Sequence, residues 1–183
     1  MLYTRKGDDG KTKTFACDQR ISKSSAIAEA LGSLDEINSF LGFCKVRSTT
    51  QKCEVGSVSC ASIIHQLQKD LFIIQAEVAG AEKTIGEDKV KEIESIVDAI
   101  EKELPPIKTF FVSGGTELAA TFDFARTVAR MAERRVVSVA EEGKVKVGEF
   151  SLAYLNRISS LLYALARYAN HKAGIKEEAP DYK

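Results

Sequence analysis

Apolar residues recur at alternating spacings of three and four along five separate stretches of this chain, and that pattern restricts the fold to a set of packed helices. In the stretch over about 61–82, Ile64, Leu67, Leu71, Ile74, Val78 and Ala81 stand one helical turn apart. The stretch over about 87–104 repeats it with Val90, Ile93, Val97, Ile100 and Leu104. Pro105-Pro106 stops that helix, because proline lacks the N–H and restricts the residue before it. An earlier helix over about 25–46 carries Ile27, Leu31, Leu34, Ile37 and Leu41. The longest, over about 116–142, has an unbroken seam of Leu118, Phe122, Ala125, Ala129, Ala132, Val136 and Val139. Val128 and Val137 lie off that seam, so this helix is expected to be buried on more than one side, and Gly143 supplies its end. The last, over about 148–173, aligns Leu155, Ile158, Leu162, Leu165 and Ala169 before Gly174.

Strand signals are nearly absent, so the predicted class is all-α, a five-helix up-and-down bundle. A length of 183 residues suits a single domain over 1–183, with the bundle at 25–174, a polar glycine-containing segment at 1–24 and a tail at 175–183. The stretch 48–60, rich in Ser, Thr and Cys, reads as a flexible inter-helix loop. Lys+Arg and Asp+Glu both number 26, which argues against a general nucleic-acid binder. No window is long and apolar enough to span a membrane, and the N-terminus is too polar for a signal peptide, so the expected location is cytoplasmic. Cys17, Cys44, Cys53 and Cys60 form no C-x-x-C pair and are expected to be free thiols in a reducing compartment.

Four constellations carry chemistry. Gly7-Asp8-Asp9-Gly10-Lys11-Thr12 has the turn residues, lysine and hydroxyl of an anion site, and taken alone fits a disordered tail equally well. It is not a P-loop: Arg5 stands where the first glycine belongs, and no strand precedes it. Arg126, Arg130 and Glu133 share one helix face, with Arg134 and Arg135 following. That face fits a solvated surface with Arg130–Glu133 pairs, or a guanidinium clamp for polyphosphate. The last helix aligns Asn156, Ser160, Tyr163 and Arg167, an ordinary surface if taken alone. Phe110-Phe111 before Gly114-Gly115 fits a core plug or the wall of an apolar ligand site. A di-iron centre is excluded by its ligands, since Ser62 and Tyr168 stand three residues before the two histidines, His65 and His171.

In series these segments resemble the PduO-type ATP:cob(I)alamin adenosyltransferases. The resemblance rests on Tyr3 through Thr12, Glu29 through Ser39, Phe110 through Thr116, Ala125-Arg126-Thr127-Val128-Ala129-Arg130 with Ala132-Glu133-Arg134-Arg135, and Tyr154-Leu155-Asn156-Arg157. It implies a five-helix bundle, a homotrimer with active sites between subunits, and transfer of the adenosyl group of ATP to Co(I) of a reduced corrinoid, with Mg²⁺ assisting. It further implies a reductase and an adenosylcobalamin-dependent enzyme as partners. An alternative of another class is a non-catalytic ATP or corrinoid sensor or carrier.

The resemblance also implies residue roles. Thr4, Arg5, Lys6, Gly7, Thr12 and Lys13 would wrap the triphosphate, with Lys23 as a further phosphate contact. Arg130, Glu133, Arg134 and Asn156 would contact ATP from the last two helices. Asp35 and Arg126 would pair across a subunit boundary, and Phe110 would displace the lower axial ligand of the corrinoid. Three positions depart from the family pattern: Ser113 where proline is common, Met131 where a basic residue is common, and Ser160 where aspartate is common.

Overall fold

The computed structural model describes residues 2–14 and 20–182. Five helices dominate: α1 Ala26–Thr50, α2 Cys60–Val78, α3 Glu87–Glu101, α4 Glu117–Glu142 and α5 Glu149–Lys172. Their starts are set by short oxygen-bearing side chains. Ser25 accepts from the Ala28 N–H, Ser59 from Ser62 and Thr116 from Ala119, each satisfying a donor that the first turn leaves open. Gly143 ends α4 in the left-handed conformation at φ 67°, which glycine adopts without strain.

The packing order is α2–α1–α4–α5–α3, and α2 also meets α5 through the hydrogen bond between Asp70 and Tyr154. The pairs Arg47–Glu117 and Arg135–Glu29 tie opposite ends of α1 and α4, so these two helices are antiparallel. All seven residues of the predicted α4 seam are buried, and Val128 with them, because α4 lies between α1 and α5. Helices α1 and α5 pack directly against α4, while α2 closes on α1 and α3 on α5. A buried polar knot stiffens the core: Tyr154 donates to Asp70 Oδ2 at 2.6 Å, and Gln66 donates to Asp70 Oδ1 at 2.9 Å. Burial and the Asp70 carboxylate push the Tyr154 phenol well above its ordinary value, so it remains a donor.

Two small antiparallel ribbons stand outside the helices. β1 (Lys11–Lys13) pairs with β2 (Arg20–Ser22), Thr12 opposite Ile21. β3 (Glu54–Val55) pairs with β4 (Val58–Ser59) around Gly56, whose φ of 58° suits a tight hairpin. The second ribbon corrects the expected flexible loop at 48–60. Helix α1 runs on to Thr50, and the remainder is a hairpin whose flanking residues Cys53 and Cys60 form a disulfide. The expectation of free thiols therefore fails for these two, which face each other across the ribbon where spacing along the chain gave no sign of it. Cys44 is free and buried, and burial pushes its thiol up to about 12. Cys17 lies outside the described residues.

Candidate functional site

The N-terminal residues named from the sequence are gathered on the β1–β2 ribbon and the turn before it. The turn is held from inside: Asp8 and Gly10 N–H groups donate to the Arg5 and Gly7 carbonyls, and the Lys23 N–H donates to Gly10. Lys23 Nζ donates to the Gly7 carbonyl at 2.8 Å, which brings that ammonium into the bend of the turn. Arg20 grips Asp9 through two nitrogens at 2.8 and 2.7 Å and also donates to the Lys6 and Lys11 carbonyls. The Arg20 hydrogen bond holds the Asp9 carboxyl below the usual range. Arg20 is thus a scaffold for the turn, a role that sequence reading missed because its partner lies across the ribbon. Arg5 adopts φ 57°, uncommon outside glycine. Thr4, Arg5 and Lys6 remain exposed and Gly7 and Thr12 half-exposed, so the segment presents donors and cations outward.

The second group lies on α4 and α5. A cavity of about 620 Å³ is lined by Ile107, Lys108, Thr109 and Phe110 from the α3–α4 loop, Arg126 and Arg130 from α4, and Ser159, Ser160 and Tyr163 from α5. Phe110 is 78% exposed, so it plugs no core within this chain, and it lines the same cavity as two guanidinium groups. Arg130 is exposed and makes no ion pair with any described residue. Glu133 instead accepts from Asn156 Nδ2 at 2.8 Å. Arg157 donates to Asn156 Oδ1 at 2.7 Å and to Glu94 at 2.7 Å, so α4, α5 and α3 share one polar chain. The solvated-pair reading of Arg130–Glu133 is therefore not what forms. Arg134 is exposed beside them.

Arg126 is half-buried, with Nε 3.5 Å from Asp123 Oδ1 and its guanidinium 5.9 Å from the Tyr163 ring centre. That Nε is buried without a hydrogen bond. Asp35 is exposed on α1 and is not brought to Arg126 within the chain. Burial, aided by Glu177 and Asp123 and opposed by Arg167 and Arg126, raises the Tyr163 phenol above its ordinary value, leaving a neutral donor on the cavity wall. Of the three departures, Ser160 lines the cavity and Ser113 lies in the loop beyond Phe110. Met131 packs against the hydrophobic core, a place where a longer charged side chain would lose apolar contact.

The sequence pattern defining the family described as cobalamin adenosyltransferase matches residues 2–169. The chain belongs to that family. This cobalamin adenosyltransferase family member is 35% identical over 179 residues to the Corrinoid adenosyltransferase PduO of Citrobacter freundii, an alignment covering 94% of this chain and 50% of that protein. It is 33% identical over 178 residues to the Corrinoid adenosyltransferase of Bacillus subtilis, covering 95% of this chain and 89% of that one. The chain spans about half the length of the PduO relatives of Citrobacter freundii and Salmonella typhimurium. A structure of a variant PduO-type ATP:corrinoid adenosyltransferase from Lactobacillus reuteri, complexed with cobalamin and ATP, superposes with a TM-score of 0.87 at 27% identity over 100% of this chain and 97% of that one. Among the described residues of this family member no helix is long and apolar enough to cross a membrane.

Proposed function

We propose that this chain is an ATP:cob(I)alamin adenosyltransferase. The observation that carries the reading is the convergence of Phe110, Arg126 and Arg130 on one cavity with the Glu133–Asn156 pair beside it. An apolar wall facing guanidinium groups suits a pair of substrates of which one is a large planar macrocycle and the other a polyphosphate. The corrinoid adenosyltransferase activity for which the relatives are named, and the cobalamin and ATP in the Lactobacillus reuteri complex, support it.

In the reaction, Co(I) supplies an electron pair to C5′ of ATP. The Co–C bond forms as the C5′–O bond breaks, and triphosphate leaves with that bond's electrons. The cobalt is the nucleophile, so no activated Ser, Cys or His is required, and the chain's part is positioning and charge stabilisation. Arg130, Lys23 and the N-terminal turn (Thr4, Arg5, Lys6, Gly7, Thr12 and Lys13) meet the growing negative charge. Glu133, Arg134 and Asn156 contact ATP from α4 and α5. Phe110 walls off water and the lower axial ligand, which eases reduction of Co(II). Among the described residues no three His, Cys, Asp or Glu side chains cluster as a metal site. Mg²⁺, if bound with the substrates, would add positive charge against the leaving triphosphate alongside Arg130 and Lys23.

Asp35 is an exposed carboxylate on α1 and Arg126 a half-buried guanidinium on α4 that the chain does not bring together, and a pair between copies suits a homotrimer with sites between subunits. The working place of such an enzyme is the cytoplasm, with a corrinoid reductase upstream and an adenosylcobalamin-dependent enzyme downstream. Anaerobic incubation with ATP, Mg²⁺ and chemically reduced cobalamin tests the reading. The enzyme yields adenosylcobalamin and stoichiometric tripolyphosphate. Binding of both substrates without tripolyphosphate release would establish the sensor or carrier alternative instead.

A further inference from the structure

The loop that carries Phe110 runs from the end of α3 at Glu101 to the start of α4 at Glu117 with no secondary structure of its own. A loop of that kind inside a compact domain needs anchors. Its base is fixed by Asn170 of α5, which donates to the Gly114 carbonyl at 2.8 Å and accepts from the Thr116 N–H at 2.9 Å. Gly115, at φ 93°, is obligatory there, since a Cβ would meet Asn170 Oδ1 at 2.4 Å.

The part nearer Phe110 is held by other means. Arg167 of α5 is only 6% exposed and reaches three partners at once. It donates to the Pro105 carbonyl at 3.0 Å, covers the Phe111 ring at 5.2 Å from its centre, and makes a two-pronged pair with Glu177 at 2.6 and 2.8 Å. The next tail residue completes the clasp: the Val112 N–H donates to the Glu178 carbonyl at 2.8 Å. The loop is thus gripped before Phe110 at Pro105 and after it at Phe111 and Val112, and Phe110 itself is left projecting at 78% exposure. A guanidinium this buried needs a carboxylate, and Glu177 is its partner. The tail is therefore part of the site's support.

We propose that Arg167 and Glu177 are positioning residues for the corrinoid half of the site: the C-terminal strap, locked by their ion pair, holds the 105–112 segment so that Phe110 meets the substrate. This rests on the adenosyltransferase reading for its kinetic consequence, while its structural consequence stands apart from it.

The test uses the full chain carrying Glu177→Ala, with Glu177→Asp as the conservative partner. Amide hydrogen exchange is measured first, without substrates. The expected result is that exchange at Val112 and its neighbours rises about tenfold or more in Glu177→Ala while α4 is unchanged, because only the local closed state is lost. Glu177→Asp keeps the charge and should recover part of that protection. In the adenosylation assay the KM for cob(I)alamin should rise roughly three- to tenfold with the KM for ATP unmoved, as expected when one reactant's wall is misplaced. Unchanged exchange at Val112 overturns the strap. A rise in both KM values together, or a loss of α4 protection, overturns it in favour of a general structural role. If the wild-type chain makes no adenosylcobalamin, the adenosyltransferase reading falls, and Val112 exchange alone decides the strap.

Discussion

The Lys23 ammonium donates to the Gly7 carbonyl at 2.8 Å, so the charge that a phosphate contact requires is already stationed in the bend of the N-terminal turn. A lysine side chain left free would have to be ordered on binding, at a cost in rotamer entropy. Its position also reads the glycine: a Cβ at position 7 would stand 3.1 Å from Nζ, the far end of a flexible side chain.

Two linked outcomes follow for ATP binding. Lys23→Ala removes a charge-assisted contact and should weaken ATP binding by roughly ten- to a hundredfold, with little change in thermal stability because the residue is exposed. Gly7→Ala displaces the lysine tip only slightly and should cost less than Lys23→Ala. Calorimetric titration with ATP checks both. A larger loss for Gly7→Ala would show that the backbone approach at Gly7 outweighs the lysine.

Acid should open the turn before the bundle. The Arg20 pair depresses the Asp9 carboxyl, so its stabilising contribution is complete above the ordinary carboxylate value and is lost as pH falls through the lower folded value. The Lys11 N–H, bonded to Asp9 Oδ1 at 3.2 Å, is the reporter. Its amide resonance should move below about pH 4 while helical circular dichroism holds. In Asp9→Asn that movement should vanish, and an identical titration in the variant would assign it to another group.

Arg130 is exposed, has no ion-pair partner among the described residues and lines the cavity with Phe110. Arg130→Ala should leave helix content and melting temperature intact and lower turnover by roughly two to three orders of magnitude, the scale for losing one donor aimed at developing charge. A folded variant that keeps near wild-type turnover removes Arg130 from the site.

The helices were legible because each seam obeys one local rule, the spacing of three and four, and every residue predicted for the α4 seam is buried. Their ends shifted by a few residues. Helix α1 continues past Val46 to Thr50, where Ser48 and Thr49 donate back to the carbonyls of Cys44 and Lys45. What stayed hidden was long-range. Cys53 with Cys60, Arg20 with Asp9 and Arg167 with Glu177 are pairs whose members carry no periodic mark. The face reading of α5 also misled in one respect. Arg167 shares the polar line of Asn156, Ser160 and Tyr163, yet it is buried, because the tail returns to cover it.

Arg126 and Asp35 give the assembly prediction. Asp35 is exposed on α1, and Arg126, whose Nε lies 3.5 Å from Asp123 within the chain, is only half-buried, so its guanidinium edge is available to a carboxylate from a second copy. Light scattering should give a homotrimer. Asp35→Ala should reduce activity far more than helix content, since it removes the carboxylate that meets the Arg126 guanidinium across the boundary. The double variant Asp35→Arg with Arg126→Asp should recover part of the loss. An active monomer would end the intersubunit reading.

Phe110 carries the last and most specific outcome. Its ring is largely exposed, while the loop on either side is clasped by Arg167 and the tail, so Phe110→Ala should change the cavity wall without disturbing the bundle. The cations assigned to ATP are other side chains, Lys23 and Arg130, which the substitution leaves in place, and ATP affinity should hold. Losing the wall readmits water or the lower ligand to cobalt, which makes Co(II) harder to reduce. Adenosylation from Co(II) with a reductant should therefore fall steeply, and adenosylation from preformed Co(I) should fall less, because that start bypasses the difficult electron transfer. Spectra of the ATP-bound variant with Co(II) corrinoid should lack the four-coordinate species. Equal losses in the two assays, or a variant that forms the four-coordinate species as well as wild type, would transfer the role away from Phe110. Phe111 is a poor substitute, since its ring is already held under Arg167 at 5.2 Å. The contrast between the two adjacent rings, one clasped and one projecting, is what the paired assays resolve.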